Sequence, residues 1–359
     1  MRYVFDLDGV ICSLKKPSES YEDVIPNHDV INLIQKLKKN NDYIIIYTAR
    51  HMRTCDGNVD EVIKKIGGIT KRWLEKWNVC YDELIFGKPY ADVYIDDLGI
   101  TFTSAKDIQI KLQKLQMNFV IPMAGEARRF KNSGIDKPKF MIKIKNKTMF
   151  EHAIESLPLD FAEKIYFICL KEHDEKFNVV EFIDSILVEN FKNLNYEIIL
   201  IEEKTRGQAE TILSVKKSID NNQPLLIYNI DTIFKSTRLK SRLTGMNNQE
   251  IDGIIGGFLS NDSNLSFIEM DSDEYVKKII EKEPISNTAS TGLYIFSKGK
   301  NFVSATEKMI KNKIYTKNEF YVSEVYNILI KDQKKFIVDI ADEFSSLGTP
   351  EDLERFLKK

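Results

Sequence analysis

The stretch Asn118–Lys139, NFVIPMAGEARRFKNSGIDKPK, decides how the whole chain is divided. It opens on the apolar run Phe119–Ile121, turns at the small residues Ala124 and Gly125, and then gathers basic side chains within a short distance. The basic residues are Arg128, Arg129, Lys137 and Lys139. A short strand that leads into a glycine turn beside cations is the pattern of a loop that binds polyphosphate. The stretch therefore predicts the start of a second α/β unit, with another such unit before it.

Length and composition favour two globular domains. The chain has 359 residues, and a typical domain has about 100–200. Hydrophobic residues make up 43% and charged residues 30%, and the formal net charge is −2. A nearly neutral chain of this kind is not expected to bind nucleic acid or a membrane surface. We therefore interpret local basic clusters as sites for small anions.

The N-terminus and the cysteines favour a cytoplasmic location. The first residues, MRYVFDLDGV, lack the basic and apolar regions of a signal peptide, and the sequence has no run of about 18 apolar residues. The cysteines are widely spaced without a Cys-x-x-Cys pair, so we expect reduced thiols, with neither a disulfide framework nor a zinc site. They are Cys12, Cys55, Cys80 and Cys169.

Two short apolar runs near the N-terminus are the predicted strands of a βαβ unit. Tyr3–Phe5 ends at Asp6 and Asp8, and Tyr43–Tyr47 ends at Thr48. Apolar residues recur at helical spacing between the two runs. Because the carboxyl ends of parallel strands meet at one edge of a sheet, we expect these polar side chains to lie close together.

Two further predicted strands deliver polar residues to the same edge. Leu84–Phe86 is followed by Lys88, and Val93–Ile95 is followed by Asp96 and Asp97. Clustered carboxylates repel one another unless a hard cation neutralises them, so the sequence predicts Mg²⁺ at this edge. Its ligands would be Asp6, the backbone carbonyl of Asp8, and Asp96 or Asp97.

These residue types suit the hydrolysis of a phosphate monoester. Asp6 would be the nucleophile that forms an aspartyl-phosphate, and Asp8 would protonate the leaving alcohol and then activate water. Lys88 and the Thr48 hydroxyl would hold the phosphoryl oxygens. The set as a whole therefore predicts phosphoryl transfer through a covalent intermediate.

The segments DLDGV, YTAR, FGKP and YIDD resemble the four motifs of the haloacid dehalogenase phosphatase superfamily. The stretch from Thr48 to Asp97 is similar to the small capsule-biosynthesis phosphatases of that superfamily. One helix takes up most of the interval between Asp6 and Thr48, which leaves little room for a cap domain. The resemblance implies a capless, Rossmann-like phosphatase domain over residues 1–115, with an open site that a neighbouring subunit would close in a homo-oligomer.

The segment His51–Asn58, HMRTCDGN, follows the predicted strand that ends at Thr48. Its polar residues suit a loop that faces the substrate, and they equally suit an ordinary surface loop. The sequence leaves both interpretations open.

The second predicted domain repeats the pattern of strands that end in polar turns. Ile198–Ile201 leads into a turn that contains Gln208, and Pro224–Tyr228 leads to Asn229 and Asp231. An acid at such a position could bind a metal ion that bridges nucleotide phosphates. This pattern indicates a nucleotide site along the same sheet edge as the basic loop.

Together these segments resemble the sugar-phosphate nucleotidyltransferase family, which implies a Rossmann-like, GT-A-like domain with a mixed central sheet over residues 116–359. Members join a nucleoside triphosphate to a sugar or alcohol phosphate and release pyrophosphate. The implied nucleotide-site residues are Ala124, Gly125, Glu126, Ala127, Arg129, Lys139, Gln208 and Asn229, with Asp231 as a Mg²⁺ ligand. The implied sugar-phosphate pocket consists of Glu281, Lys282 and Gly292.

Two positions depart from the family pattern. The phosphate loop commonly has a second glycine where this chain has Ala127, so the backbone there must avoid a positive φ or accept strain. Near Gly348 many members have an aspartate as a second metal ligand, whereas this chain has the segment Ser345–Leu347. Metal coordination is therefore expected to depend on Asp231 and the triphosphate.

The sequence thus predicts a bifunctional, Mg²⁺-dependent enzyme that supplies an activated sugar or polyol for capsular or other surface polysaccharide. One domain would transfer a nucleoside monophosphate to a sugar or polyol phosphate, and the other would hydrolyse a related phosphate monoester. CTP is the favoured donor on family resemblance alone. The alternative is that one domain is catalytically silent and serves the other as a binding or scaffold module.

Overall fold

A computed structural model describes most of the chain and divides it into two compact units, Met1–Gln113 and Lys114–Lys359. The described residues are 1–16, 18–91, 94, 99–106, 108, 115–191, 193–246 and 251–358. The domain boundary predicted from the sequence falls after residue 115. No helix in this described part of the chain is long and apolar enough to cross a membrane.

The first unit contains a parallel sheet in which β2 lies between β1 and β3. The strands are β1 (Arg2–Asp6), β2 (Tyr43–Thr48) and β3 (Glu83–Phe86). The helical segments are α1 (His28–Lys39), α2 (Val59–Val62), a π-helical turn (Ile63–Gly67) and α3 (Gly68–Lys76). Strands β1 and β2 with α1 confirm the βαβ unit that the apolar pattern predicts. The predicted strand Val93–Ile95, apart from Tyr94, lies outside the described residues.

Helix α1 forms because its sequence supplies a capping side chain at its start, basic residues at its end and apolar residues on one face. The Asn27 side chain accepts a hydrogen bond from the Val30 N–H, which caps the first turn. Val30, Ile34 and Leu37 are buried in the core of the first unit. Three lysines lie in the last turn, where they complement the helix dipole.

Sixteen strands are assigned over the described residues, and those of the second unit run from β4 onwards. The second unit's strands are β4 (Met117–Pro122), β5 (Lys143–Ile144), β6 (Lys147–Thr148), β7 (Ala162–Leu170), β8 (Tyr196–Ile201), β9 (Leu225–Tyr228), β10 (Thr232–Lys235), β11 (Gly253–Leu259), β12 (Ser266–Met270), β13 (Val276–Glu281), β14 (Thr288–Phe296), β15 (Phe336–Ile340) and β16 (Glu343–Ser346).

The second unit's helices pack around this sheet, and short 3₁₀ turns connect some of its elements. The α-helices are α4 (Arg128–Asn132), α5 (Met149–Glu155), α6 (Lys171–Phe177), α7 (Val179–Asn190), α8 (Gln208–Ile212), α9 (Lys216–Ile219), α10 (Leu239–Gly245), α11 (Gly299–Lys311), α12 (Val322–Lys331) and α13 (Pro350–Leu357). The 3₁₀ turns are Lys139–Met141, Leu159–Phe161 and Leu213–Val215.

Nine of the described strands form the central sheet of the second unit. The main order is β13-β12-β14-β9-β4-β7-β8, and β11 joins β14 to β15. Strands β9, β4, β7 and β8 are parallel, whereas β14 is antiparallel to β9. This arrangement confirms the predicted α/β fold with a mixed central sheet.

The parallel pairing of β4 with β9 brings two polar turns to one edge of the sheet. Phe119 and Val120, adjacent in β4, belong to the two separate cores that cover the opposite faces of the sheet. The near-continuous apolar sequence of β4 is therefore explained by burial on both faces. Because both faces of β4 are buried, only the residues that follow its carboxyl end can contact a ligand.

Replacing Phe119 with alanine should destabilise the second unit selectively. Phe119 has no exposed surface, so the loss should be about 3–5 kcal/mol in the free energy of unfolding of that unit. Trp73 and Trp77 both lie in the first unit, so tryptophan fluorescence follows that unit, whereas far-UV circular dichroism follows both. In urea titrations, Phe119→Ala should shift the unfolding transition followed by far-UV circular dichroism, but not the one followed by tryptophan fluorescence.

The matched control is Leu357→Ala, because Leu357 is 49% exposed and should change the free energy by less than about 0.5 kcal/mol. A shift of equal size in the tryptophan transition of Phe119→Ala would show that the two cores do not unfold separately.

Candidate active sites

Ala127 bends the loop between β4 and α4. It adopts the left-handed conformation, with φ of 52° and ψ of 36°, which costs an L-residue about 1–2 kcal/mol. Its carbonyl accepts hydrogen bonds from the N–H groups of Phe130 (2.9 Å) and Lys131 (3.0 Å). Its side chain packs against a cluster that includes Phe130 and Leu347. The sequence left two outcomes for Ala127, a backbone that avoids a positive φ or one that accepts the strain. The structure shows the positive φ, and these hydrogen bonds and packing contacts offset its energetic cost.

Lys139 and Asp231 form an ion pair at the sheet edge. Lys139 Nζ lies 2.6 Å from Asp231 Oδ2, and the side chains are 23% and 21% exposed. Asp231 lies in the turn between β9 and β10, and its carbonyl accepts a hydrogen bond from the Leu347 N–H at 2.8 Å. The C-terminal segment of the chain therefore fixes the backbone that carries this acid.

Asn229 connects the turn at Gln208 with strand β14. Its Oδ1 accepts a hydrogen bond from Gln208 Nε2 at 2.5 Å, and its N–H donates to the Gly292 carbonyl at 3.1 Å. Gly292 has a φ of 82°, and a Cβ atom there would lie 2.6 Å from Asn229 Nδ2. Glycine alone fits this approach, because any side chain would displace Asn229. The structure thus brings three predicted residues together.

The basic loop borders a cavity of about 690 Å³, which we call the phosphate-loop cavity. Residues 124–128, Lys139 and Gln208 line it. Lysine and arginine residues that the sequence analysis did not assign also line it: Lys204, Arg206 and Lys317. Lys204 pairs with Glu126 at 2.7 Å. The charged run before the turn at Gln208 was the signal that could have identified Lys204.

A second cavity of about 1110 Å³, which we call the strand-side cavity, is bordered by Glu281, Gly292 and the end of β16. Asn229 and Asp231 line both cavities. Two molecules bound in the two cavities would therefore meet at the Asp231 carboxylate.

Glu281 is the buried acid of the strand-side cavity. Its side chain is 8% exposed, the Ser266 hydroxyl donates a hydrogen bond to it, and burial raises its pKa above the usual value. Lys282 Nζ lies 4.0 Å from Glu281 Oε1 and donates to the Tyr321 hydroxyl at 3.1 Å. The structure thus places Glu281 on the strand-side cavity and directs the Lys282 ammonium towards Tyr321.

Arg128 and Arg129 line different cavities. Arg128 lines the phosphate-loop cavity and pairs with Glu126 at 2.7 Å, whereas Arg129 lines the strand-side cavity. They are successive residues at the start of α4, so their side chains leave the helix about 100° apart. The resemblance implies a phosphate loop over residues 124–129, and the structure places Arg128 of that loop on the phosphate-loop cavity and Arg129 on the strand-side cavity.

The surroundings of Asp231 fit a hard divalent cation. Carboxylate oxygens are its preferred ligands, and Gly348 leaves room, because a Cβ there would lie 3.2 Å from Asp231 Oδ2. The Ser346 hydroxyl donates to Asp352 Oδ2 at 3.0 Å. Within the described part of the chain, no three Asp, Glu, His or Cys side chains form a metal cluster. Asp231 would therefore share a metal with oxygens of a ligand.

In the first unit, the ends of β1 and β3 bring Asp6 and Lys88 into contact. The Lys88 ammonium pairs directly with the Asp6 carboxylate. Thr48, at the end of β2, has no exposed surface, and its hydroxyl accepts a hydrogen bond from the Arg50 N–H at 3.1 Å. A phosphoryl group would therefore meet Asp6 and Lys88 before it could reach the Thr48 hydroxyl.

Arg50 forms an ion pair with Asp8, and no role for Arg50 was predicted from the sequence. Arg50 is 2% exposed, and its Nε and Nη2 atoms donate to the Asp8 oxygens at 2.9–3.1 Å. Its position directly after the YTA segment was the available signal. The predicted ligands Asp96 and Asp97 lie outside the described residues, so Asp6 and Asp8 are the described members of that metal set.

Curated relatives match about two thirds of the chain. Bifunctional protein GlmU of Methanocaldococcus jannaschii is 26% identical over 239 residues, which cover 66% of this chain and 52% of that protein. Bifunctional protein GlmU of Methanococcus vannielii is 26% identical over 246 residues, which cover 66% and 53%. The chain therefore spans about half the length of the curated relatives it matches.

Solved structures also match about two thirds of the chain. A nucleoside-diphosphate-sugar pyrophosphorylase from Vibrio cholerae RC9 is 26% identical with a TM-score of 0.55, and the match covers 67% of this chain and 100% of that one. An inositol-1-phosphate CTP transferase from T. maritima shares the fold, at 13% identity and a TM-score of 0.53, with 68% and 97% covered.

The family description Nucleotidyl transferase matches residues 119–358, which begin in β4 and include the loop, both cavities and the C-terminal helix. The match contains the whole sheet edge on which Lys139, Asn229 and Asp231 meet. Residues 119–358 make up most of the chain, so the protein belongs to the Nucleotidyl transferase family.

Proposed function

We propose that the second unit transfers a nucleoside monophosphate from a nucleoside triphosphate to the phosphate of a sugar or polyol phosphate, with release of pyrophosphate. The observation that carries this proposal is the meeting of two cavities at Asn229 and Asp231. A triphosphate in the phosphate-loop cavity and a phosphate ester in the strand-side cavity would have their reacting groups at this junction. Membership of the Nucleotidyl transferase family supports the same chemistry.

The phosphate of the acceptor is itself the nucleophile in this reaction. One of its oxygens forms a bond to the α-phosphorus while the bond from that phosphorus to the departing pyrophosphate breaks. The acceptor phosphate is already anionic, so the step requires no general base. The work of the protein is to align the two phosphates and to offset their charge.

Cations and N–H groups around the phosphate-loop cavity would offset that charge. Lys139 would contact phosphate oxygens in place of the Asp231 carboxylate, and Arg128 and Lys204 line the same cavity. Members of the family generally use a divalent metal such as Mg²⁺. When bound, such a metal would neutralise phosphate charge, and Asp231 would be the residue that holds it.

The two cavities also suggest how each substrate is selected. Gln208 and Asn229 present amide groups to the phosphate-loop cavity, where they could bond to a nucleobase. Glu281 could accept hydrogen bonds from the hydroxyls of a sugar or polyol in the strand-side cavity. CTP is our first choice of donor, on the resemblance to sugar-phosphate nucleotidyltransferases. The name of the Vibrio cholerae structure, at 26% identity, supports a sugar nucleotide as the product.

The first unit is proposed to be a phosphatase of the haloacid dehalogenase type. Asp6 would attack the phosphorus, and its ion pair with Lys88 places a cation where phosphoryl oxygens would bind. Asp8, held by Arg50, would protonate the leaving alcohol. Together the two units would form a bifunctional enzyme that supplies an activated sugar or polyol for capsular or other surface polysaccharide.

Asp231→Ala should lower pyrophosphate release by about 10²–10³-fold, because it removes a charged group that organises the phosphates. The assay combines each of the four nucleoside triphosphates with a panel of sugar and polyol phosphates and Mg²⁺, and it records pyrophosphate over time. The wild-type panel identifies the donor and acceptor, with CTP expected to give the highest rate.

The control is Asp332→Ala, which breaks an exposed ion pair with Lys308 in the same unit and should leave the rate within about twofold. Full pyrophosphate release by Asp231→Ala would refute the assignment. Nucleotide binding without pyrophosphate release from any acceptor would instead favour a binding or scaffold role for this unit.

Asp6→Asn should abolish phosphate release from p-nitrophenyl phosphate while pyrophosphate release by the second unit continues, because an amide cannot form the aspartyl-phosphate. Asp29→Asn, an exposed change in the first turn of α1, is the matched control. Undiminished phosphate release by Asp6→Asn would show that Asp6 is not the nucleophile.

A further inference from the structure

The turn formed by residues 51–58 is anchored to the first unit by its own side chains. Met52 is 8% exposed and Cys55 is 4% exposed, and both pack in a cluster with Val62 and Ile66. The Cys55 N–H donates to the His51 carbonyl at 2.9 Å, which closes the turn. A segment held by buried residues presents its exposed side chains in a fixed position, unlike a loop that lies loosely on the surface.

Arg53 is an exposed cation on this anchored turn. Among the described residues no carboxylate lies within salt-bridge distance of it, and its guanidinium instead lies over the Tyr90 ring, 5.4 Å from the ring centroid. The other two cations described for this site are already paired with carboxylates, Lys88 with Asp6 and Arg50 with Asp8. Arg53 therefore keeps its hydrogen-bond donors for a ligand.

The contact between Arg53 and Tyr90 is made three residues after Arg50 and two residues after Lys88. Arg53 follows Arg50, which holds Asp8, and Tyr90 follows Lys88, which pairs with Asp6. The contact thus joins the two segments that carry the site's cations. A guanidinium at this position suits a phosphate or carboxylate, because its planar donors match two oxygens at once.

The chemistry of the second unit restricts what the first unit can usefully hydrolyse. Nucleotidyl transfer consumes a phosphate ester and keeps its phosphate in the product. A phosphatase in the same chain that removed that phosphate would destroy the acceptor. The two activities are compatible if the phosphatase removes a different phosphate and leaves one in place.

We propose, resting on the function proposed above, that the first unit hydrolyses a bisphosphorylated sugar or polyol and that Arg53 binds the phosphate that is retained. Asp6 would form a bond to one phosphorus as the ester bond from that phosphorus to the sugar or polyol oxygen breaks, and that oxygen takes a proton. Water would then form a bond to the same phosphorus as the bond to Asp6 breaks, so the products are inorganic phosphate and a monophosphate. The monophosphate is the class of acceptor that the second unit requires. The phosphatase step therefore precedes nucleotidyl transfer.

The test compares bisphosphates with the matching monophosphates in a phosphate-release assay with Mg²⁺. The probes are fructose 1,6-bisphosphate, glucose 1,6-bisphosphate and ribulose 1,5-bisphosphate against fructose 6-phosphate, glucose 6-phosphate and ribulose 5-phosphate. For the wild type, kcat/KM should be at least about tenfold higher for a bisphosphate than for its monophosphate, since the guanidinium would make a charge-assisted bidentate contact with the second phosphate. Arg53→Gln should reduce this ratio about tenfold, mainly through KM.

Arg2→Gln is the matched control. Arg2 also lies over a tyrosine ring, 4.8 Å from the centroid of Tyr43, but it starts β1, roughly 13 Å along the strand from Asp6. Arg2 carries the same charge in the same unit. Arg2→Gln should therefore leave unchanged the ratio of kcat/KM for a bisphosphate to kcat/KM for its monophosphate.

Two results would overturn the proposal: equal kcat/KM for bisphosphates and monophosphates in the wild type, or an equal fall in the ratio for Arg2→Gln. If the wild type hydrolyses p-nitrophenyl phosphate and Asp6→Asn does not, such a result refutes the bisphosphate proposal alone. If the wild type releases phosphate from no probe, the phosphatase function fails and this proposal fails with it.

Discussion

The position of Asp231 is the constraint on which the arrangement of the second unit depends. Its backbone accepts a hydrogen bond from Leu347, near the C-terminus, and its carboxylate pairs with Lys139, which follows the loop after β4. Two residues earlier, Asn229 fits against Gly292 so closely that no side chain is allowed there. Segments far apart in sequence thus meet at one acid, and the two cavities meet there as well. The ion pair keeps both charges satisfied until a ligand replaces one partner.

The strands and their polar ends could be predicted from sequence because apolar runs and the parallel-sheet rule are local and general. Details that depend on long-range packing could not. The sign of φ at Ala127 is decided by the cluster its side chain joins, and the direction of Arg129 by the start of α4. Arg50 was missed because its role comes from burial beside Asp8. Lys282 was assigned to the sugar-phosphate pocket, but the direction of its ammonium depends on Tyr321, the residue that precedes α12.

The two units share one arrangement of charged side chains, although the reactions proposed for them differ. In each, a carboxylate at a strand end is paired with a lysine delivered by another segment: Asp6 with Lys88, and Asp231 with Lys139. The lysine satisfies the acid in the free protein and is also the group that a phosphate would attract. In the first unit the acid would attack phosphorus, whereas in the second the acceptor phosphate would do so. This difference explains why one unit would remove a phosphate and the other would keep it.

The central claim is that the acceptor's own phosphate attacks the α-phosphorus at the junction of the two cavities. The most direct measurement uses the acceptor identified by pyrophosphate release, with ¹⁸O in the non-bridging oxygens of its phosphate, and follows the label by ³¹P NMR and mass spectrometry. The nucleotide-linked product is expected to retain every labelled oxygen, one of them as the bridge between the two phosphorus atoms, and pyrophosphate is expected to carry none. Label in pyrophosphate or in released inorganic phosphate during the transfer step would rule out attack by the acceptor's phosphate on the α-phosphorus.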